Sequence, residues 1–408
     1  MNLERKIFEL NCLSPVHIGN GETLKAFEYL YDHKTSTVYF LNEAKWIAFL
    51  DKNNLIDKFF EYIERISAAL RGRTPFVEKN LWEWLNENGI ADTDLRKLAI
   101  RQADAETNTI VSKRSLNDID CHIALADGKP YIPGSSLKGL FRTAILHAKI
   151  KKMPALAQRY WKKIVATTKL DLRRQNSECA RISHELENEL LSKLDYTSVE
   201  GFNRRVPDEV KSVLRGFMVS DAVCTEKIDT VILQRLDATT KTKYLYELEK
   251  TLPLFHECIP ANNVLTFSLT LDFDMLSVIG ISSFEQVFRM TRDFMLDGVE
   301  RLEKVFGNEF HEQFEEARTA DALIGGGVGF LTKTLIYSLA PSHEEAKKFA
   351  ANYFDEAFTV WDSVRHRSEP AHWHEAFDKK IAPRTLKLTR SQTAKSLLGL
   401  VQFRELPC

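Results

Sequence analysis

The sequence lacks the usual signs of a metal ribbon, a disulfide framework or a membrane span. Its 408 residues include six cysteines with no C-x-x-C pair, which argues against a zinc ribbon and against a disulfide-stapled fold. No apolar run is long enough to cross a bilayer, and the N-terminus lacks the basic start and long apolar run of a secretory signal peptide. We therefore expect a protein of the reducing cytoplasm.

Net charge is also nearly absent. The formal charge is −1, so a site for a polyanion must be a local patch rather than a property of the whole surface. The hydrophobic fraction of 44% and the charged fraction of 28% are those of an ordinary globular protein. A chain of 408 residues has room for roughly two or three domains.

The segment YIPGSSLKGLFRTAILHAKI, from Tyr131 to Ile150, contains a clear helix start. Pro133-Gly134 predicts a turn, and the hydroxyls of Ser135 and Ser136 are predicted to cap the first free backbone N–H groups. Apolar residues then recur at helical spacing and predict a buried face, formed by Leu137, Leu140, Phe141, Ala144 and Ile145.

The opposite face of this helix carries two cations near its N-terminus. Lys138 and Arg142 stand four residues apart, and the unpaired N–H groups and the dipole of a helix start favour an anion. Gly139 makes the helix less stable than alanine would at that position. Close approach of a ligand to the backbone would offset this cost. Two interpretations remain open, a phosphate site and a well-capped helix with ordinary surface cations.

Runs typical of strands alternate with helical blocks along the chain. Lys6–Cys12 is predicted as a strand, PVHIGNGE as a bent loop, and FEYLY and TVYFL as a hairpin. Helical spacing predicts helical blocks at residues 42–102 and 149–209. Strand patterns return after Val213.

We predict an α+β protein with two domains. The first occupies residues 1–210 and contains both helical blocks as insertions, and the second occupies residues 211–408. The second domain contains an amphipathic helix that ends near Gly307 and a glycine-rich loop after it.

The second helical block has a local excess of positive charge. Between Lys149 and Arg174 there are nine lysines and arginines against the single acidic residue Asp171. Tyr160 and Trp161 lie among them, which suits a surface that follows an RNA backbone. A solvated, lysine-rich helix face is the alternative, and it is the commoner fate of such runs.

The loop LIGGGVGFLTKT combines Gly325, Gly326, Gly327 and Gly329 with Lys333. Glycines free backbone N–H groups and let a ligand approach the main chain. The spacing is neither that of a Walker loop nor that of the dinucleotide-binding fingerprint. A nucleoside triphosphate site is therefore disfavoured.

Three motifs occur in order along nearly the whole chain: PVHIGNGE, YIPGSSLKGLFRTA, and GGGVGFLTKT followed by RTLKLT. This set resembles the RAMP superfamily of CRISPR-associated RNA-binding proteins, and within it the fifth subunit of the type III-A Csm effector complex. PGSSLKG alone indicates only the superfamily, so other RAMP subunits of type III complexes are the nearest alternatives. The resemblance implies two ferredoxin-like, RNA-recognition-like domains whose β-sheets are backed by helices.

The resemblance also implies a role in antiviral defence. Such a subunit caps one end of the effector, holds the 3′ part of the CRISPR RNA and supports 3′-end maturation through recruited host nucleases. The implied partners are CRISPR RNA, the repeated RAMP backbone subunit and the small helical subunit. No cofactor, metal or catalytic residue is implied.

We accordingly predict a set of RNA-binding residues. The resemblance places the N-terminal bent loop beside the glycine-rich loop, and the cations are predicted to contact phosphates. The set is His17, Gly19, Ser135, Ser136, Lys138, Arg142, Gly325, Gly326, Gly327, Gly329 and Lys333.

Three other interpretations remain. The first is metal-independent RNA cleavage, since His17, with Lys25 nearby in sequence and His147 as a second candidate, has the groups that acid–base catalysis requires. The second is a metal site in HRSEPAHWHE, where an H-x-H pair on a strand would place two imidazoles on one face. Its candidate ligands are His366, His372, His374 and Glu375, which we otherwise interpret as a polar surface segment.

The third interpretation is a pure assembly subunit that docks through its helical insertions. Trp82, Trp84, Tyr160 and Trp161 would suit an interface, although aromatic stripes on helices are more often core.

Overall fold

The computed structural model describes residues 2–70, 79–106, 118–195, 207–224, 226–240, 249–390 and 394–407. Within these residues the strands are β1 Leu3–Cys12, β2 Gly19–Leu24, β3 Tyr29–Asp32, β4 Thr37–Leu41, β5 Ala99–Glu106, β6 Ile119–His122, β7 Phe217–Val219, β8 Thr230–Thr239, β9 Glu249–Cys258, β10 Val264–Asp272, β11 Ala322–Leu323, β12 Thr359–Asp362, β13 Arg367–Pro370, β14 Thr385–Arg390, β15 Lys395–Ser396 and β16 Leu400–Glu405. The α-helices are α1 Glu43–Lys52, α2 Ile56–Leu70, α3 Leu81–Glu87, α4 Asp92–Arg96, α5 Gly134–Lys152, α6 Pro154–Ala166, α7 Leu172–Leu191, α8 Asp208–Lys211, α9 Phe273–Leu276, α10 Phe284–Phe306, α11 His311–Thr319, α12 Ile336–Leu339, α13 His343–Ala357 and α14 His374–Phe377.

A five-stranded antiparallel sheet contains the first and last strands of the chain. Its order is β11-β16-β1-β10-β7, and the central β1 pairs with β10 and with β16. The second half of β1 alternates between buried and half-buried residues, with Phe8, Leu10 and Cys12 in the core. This alternation is expected where one face of an antiparallel sheet packs against other elements.

Helices α5 and α10 pack on that face. The ring of Phe141 on α5 lies 5.9 Å from that of Phe288 on α10 and 5.7 Å from that of Phe403 on β16. Burial of such aromatic clusters is a main source of core stability. The predicted apolar face of α5 is therefore confirmed, with Leu140 half-buried at its margin.

A larger sheet has the order β2-β6-β9-β8-β5-β4-β3. β14 extends it by pairing with the second half of β8, and β15 pairs with β14. The β5–β8 and β6–β9 pairs are parallel and the other pairs are antiparallel. The predicted β3–β4 hairpin is confirmed, whereas part of the predicted bent loop is the edge strand β2.

The predicted α+β class is confirmed. Each large sheet takes strands from both sides of residue 210, as in the β1–β10 and β5–β8 pairs. The division into domains at that residue stays a prediction.

The first helical block contains α1 to α4, but the prediction of helix to residue 102 is wrong, because the last residues of the block belong to β5.

The four aromatic residues considered for docking are core residues. Trp82 and Trp84 are buried, and Trp82 stacks on Tyr39 of β4 with 5.4 Å between ring centroids. Tyr160 and Trp161 are buried between α6 and its neighbours. These four rings therefore stabilise the fold and are not available as a docking surface.

In the described segments, no helix combines the length and apolar composition that crossing a bilayer requires.

Candidate nucleic-acid interface

The start of α5 is capped differently from the sequence-based prediction. Pro133 occupies the N-cap position, and neither serine hydroxyl makes a capping hydrogen bond. Instead, the Gly134 N–H donates to Oδ1 of Asp221 at 2.7 Å. The predicted capping by Ser135 and Ser136 is wrong, because a carboxylate from a distant segment takes that place.

This carboxylate changes where an anion can bind on α5. The negative charge of Asp221 already lies at the positive end of the helix dipole. A Cβ added at Gly134 would stand 2.4 Å from the carbonyl oxygen of Val219, so the helix start is pressed against the end of β7. A phosphate is therefore favoured beside the next turns of α5, not at its first residue.

Lys138 lies on that side of the helix but has a structural partner. Its ammonium donates to the carbonyl oxygen of Leu214 at 2.9 Å, and partial burial lowers its pKa. The hydrogen bond ties α5 to the short helical turn before β7. Lys138 is thus less available to a ligand than its position in the sequence indicates.

A pocket of about 420 Å³ lies between α5 and the glycine-rich loop. It brings together six of the predicted residues from three distant segments: Gly19, Ser136, Arg142, Gly325, Gly326 and Lys333. The other five predicted residues, Ser135, Lys138, His17, Gly327 and Gly329, are not among those that line it. Phe294 and Thr332 complete part of the wall.

Two cations border this pocket from opposite sides. Arg142 is 48% exposed and has an ion pair with Glu187 at 3.5 Å. Lys333 is exposed, and its ammonium has no carboxylate partner among the described residues. Surrounding protein lowers the pKa of Lys333 by partial desolvation. A Cβ at Gly139 would meet no atom within 4 Å, so the helix backbone about one turn before Arg142 is open.

The glycine-rich loop is held by main-chain hydrogen bonds to two other segments. The Gly326 N–H donates to the His17 carbonyl at 2.7 Å, and the Ile324 N–H donates to the Gly399 carbonyl at 2.9 Å. Gly399 in turn donates to the Pro15 carbonyl at 2.8 Å. The predicted proximity of the bent N-terminal loop and the glycine-rich loop is confirmed. The Gly326 N–H, one of the groups predicted to face RNA, is thus already bonded to the His17 carbonyl.

His17 lies beneath the loop rather than in the pocket. It is 4% exposed, and its Nδ1 donates to the Glu257 carbonyl at 2.7 Å. Burial lowers its pKa, and the positive charge of Lys333 contributes to the same shift. The ring packs against His256 with centroids 4.8 Å apart. His17 therefore supports the pocket floor as a neutral imidazole.

A buried carboxylate organises this floor, and sequence reasoning missed it. Glu257 is 1% exposed and receives two hydrogen bonds from Arg101, at 3.0 and 2.8 Å. It also accepts the His122 N–H at 2.9 Å and the Thr230 hydroxyl at 2.8 Å. These bonds compensate for the cost of burying the charge. An acidic residue within an apolar strand pattern is the signal that would have indicated it.

His122 continues the network to the N-terminal loop. Its Nδ1 accepts the Ile18 N–H at 3.0 Å, so the neutral tautomer donates from Nε2 to the Tyr131 carbonyl at 3.1 Å. Burial lowers the pKa of His122 to about 4. The segment before α5 is thereby joined to the floor of the pocket.

The residues considered for RNA cleavage have other roles in this structure. Lys25 is ion-paired with Asp118. His147 is buried, its Nδ1 lies 2.7 Å from the Ser338 hydroxyl, and burial lowers its pKa to about 4. His17 is bonded as described above, so each of the three groups has a structural partner, and His17 supports the glycine-rich loop.

The H-x-H segment is not a strand. Trp373 has a positive φ of 51°, and His374 begins α14 with its Nδ1 2.8 Å from Asp378. The predicted strand geometry is wrong, and His374 is buried rather than on a polar surface. Across the segments that the structure describes, no group of three His, Cys, Asp or Glu side chains is arranged to hold a metal.

Four of the nine cations at the start of the second helical block are paired with carboxylates. Lys163 pairs with Glu185 at 2.7 Å, Arg159 pairs with Glu189, and Lys151 pairs with Asp297 at 3.0 Å. The interleaved aromatic rings are buried, as described above, and cannot stack on bases. The interpretation as a solvated charged face is therefore the better one.

Comparisons with known proteins agree with this geometry. The family model of the RAMP superfamily matches residues 9–329. The chain is 25% identical over 340 residues to "CRISPR system Cms protein Csm5" of Streptococcus thermophilus, which covers 82% of each chain. It is 24% identical over 285 residues to the protein of the same name from Mycobacterium tuberculosis (strain ATCC 25618 / H37Rv), covering 67% of this chain and 68% of the relative.

A solved structure shares the fold. A chain from the cryo-EM structure of a "Csm-crRNA-target RNA ternary complex in type III-A CRISPR-Cas system" aligns with a TM-score of 0.58 at 18% identity, covering 98% of this chain and all of that one. The predicted resemblance is thus confirmed. With its family model matched over most of its length and its three motifs joined around one pocket, the chain belongs to the RAMP superfamily.

Proposed function

We propose that this chain is a non-catalytic, RNA-binding subunit of a type III-A Csm effector complex. It caps one end of the complex, holds the 3′ part of the CRISPR RNA and supports maturation of that end in antiviral defence. Its partners are CRISPR RNA, the repeated RAMP backbone subunit and the small helical subunit, with host nucleases recruited to trim the RNA.

The observation that carries RNA binding is the convergence of Arg142 and Lys333 on one open pocket. Cations with exposed or absent carboxylate partners attract phosphates, and phosphate contacts supply most of the sequence-independent affinity of RNA-binding proteins. The backbone is accessible at Gly139, and Gly325 lines the opposite wall. This combination suits a chain of phosphates held without regard to base sequence.

Assembly in a Csm effector is supported by the relatives. Curated proteins that match most of this chain carry the name Csm5, and the structurally similar chain comes from an assembly that contains crRNA and target RNA. The non-catalytic role is supported by His17, whose Nδ1 is engaged with the main chain of Glu257. Trimming of the RNA then requires a separate nuclease.

Replacing both pocket cations should weaken RNA binding in a salt-dependent way. The variant is Arg142→Gln with Lys333→Gln, measured with single-stranded CRISPR RNA between about 50 and 200 mM salt. If each cation neutralises one phosphate, the slope of log affinity against log salt should fall by about 1.4, at roughly 0.7 per contact. Sequence preference should not change.

The matched control removes two exposed lysines from outside the pocket, Lys304→Gln with Lys348→Gln, so the net charge changes equally. Lys138 is left intact because its bond to Leu214 supports the fold. An unchanged slope in the pocket variant, or an equal loss in the control, would contradict the proposed phosphate contacts.

A further inference from the structure

A second cationic surface lies on the large sheet beside the pocket. In the β8–β14 ladder, Lys387 stands directly opposite Asp237, and Arg235 lies two residues before Asp237 on the same face. Leu236 and Leu388 point the other way, into the core under α10. The three charged side chains therefore share one face of two neighbouring strands.

Asp237, the acidic member of these three side chains, is already ion-paired. Nε of Arg235 lies 2.8 Å from Oδ1 of Asp237, and both side chains are less than one-fifth exposed. Lys387, across the ladder, has no ion-pair partner among the described residues, and it is half-buried. Two cations thus face one acid, which leaves positive charge uncompensated in a partly desolvated place.

Lys333 links this surface to the pocket. Burial lowers the pKa of Lys387, the positive charges of Arg235 and Lys333 contribute to the same shift, and the negative charge of Asp237 opposes it. The geometry makes the same link, because Gly326 of the pocket wall packs against His17, whose ring lies 4.8 Å from that of His256 on the large sheet. Like charges that outnumber their counter-charge are costly in the free protein, and an anion placed among them lowers that cost.

A buried imidazole lies on the same face. His256 of β9 is paired in register with Leu233, two residues before Arg235, and its ring is in contact with His17. Neither ring nitrogen makes a hydrogen bond, although a carboxylate oxygen of Asp120 lies 3.2 Å from Nδ1. Buried polar atoms without partners are rare in proteins and commonly mark a site for a ligand or water.

We propose that Arg235 and Lys387, reached through Lys333 and with His256 beside them, form a second subsite for RNA phosphate. RNA then runs from the α5 side of the pocket, past the glycine-rich loop, onto the face of β8 and β14. The inference rests on the proposed function and adds a direction to it, because it assigns the neighbouring stretch of RNA backbone to the large sheet. The ligand is the phosphodiester backbone, so no base preference is expected.

The test compares Lys387→Gln, Arg142→Gln and the double variant in the full chain, with Lys348→Gln as the control of equal charge. Lys387→Gln should lower affinity for single-stranded RNA about three- to tenfold at low salt and reduce the salt slope by about 0.7, the value for one phosphate contact. The fold losses of the two single variants should multiply in the double variant, since their sites lie on different elements. Without RNA, Lys387→Gln should melt at an equal or higher temperature, because it relieves repulsion.

The outcomes separate the two proposals. If Arg142→Gln weakens binding while Lys387→Gln matches the Lys348→Gln control, the second subsite is wrong and the pocket stands. If the unaltered chain shows no salt-dependent RNA binding, the proposed function fails and the subsite fails with it. A lower melting temperature of Lys387→Gln without RNA would show that the lysine is structural, which also overturns the subsite.

Discussion

Gly325→Ala is expected to displace the glycine-rich loop and to lower RNA affinity by at least about tenfold, equivalent to 1.4 kcal/mol. Gly325 has a φ of +96°, and a Cβ there would lie 2.2 Å from the carbonyl oxygen of His17. That carbonyl is the acceptor for the Gly326 N–H, so the methyl group must break the bond that holds the loop. The wall of the pocket that carries Lys333 would then move.

The matched control for this substitution is Gly329→Ala. Gly329 has a similar φ of +94°, but a Cβ there would meet no atom within 4 Å. The control therefore includes the backbone strain, about 1–3 kcal/mol, without the collision. Thermal melting and RNA titration of both variants separate the two effects. Equal RNA affinity in the two variants would show that the loop position does not matter for binding.

Glu257→Ala should be the most destabilising substitution in the pocket floor. It leaves Arg101 without its buried carboxylate and removes the acceptor for the His122 N–H and the Thr230 hydroxyl. Removing one partner of a buried ion pair typically costs about 3–5 kcal/mol. That is a large part of the stability of an ordinary domain, about 5–15 kcal/mol. Urea unfolding followed by circular dichroism measures the loss.

Glu185→Gln is the comparison for Glu257→Ala. It breaks the surface pairs with Lys163 and Arg181, where all three side chains are more than one-third exposed. Solvent screens such pairs, so the midpoint of unfolding should hardly change. If Glu257→Ala were as stable as this control, the carboxylate would not organise the floor.

Local patterns predicted much of the fold. Apolar spacing in α5, the β3–β4 hairpin and the long helix from Phe284 to Phe306 all depend on residues close together in the sequence. Ser283 caps that helix by accepting the Gln286 N–H, which is a local interaction as well. The resemblance supplied the pairing of the N-terminal loop with the glycine-rich loop, which no periodicity contains.

Long-range partners were not predictable from these patterns. Asp221 caps α5 from 87 positions away, and Arg101 reaches Glu257 across 156 positions. Lys138 and Arg142 look equivalent in the sequence, yet only tertiary contacts show that the first is bonded to Leu214. The roles of such residues depend on which distant groups the fold brings near them.

The most direct test of the central claim is crosslinking within the assembled effector. CRISPR RNA with photoreactive uridines in its 3′ part is incorporated into the complex, irradiated, and the crosslinked peptides of this chain are identified. We expect crosslinks in the peptides that contain Arg142 and Lys333, with weaker ones in the peptide that contains Lys387. Crosslinks confined to the outer helices α6 and α7, or to other subunits, would contradict the account.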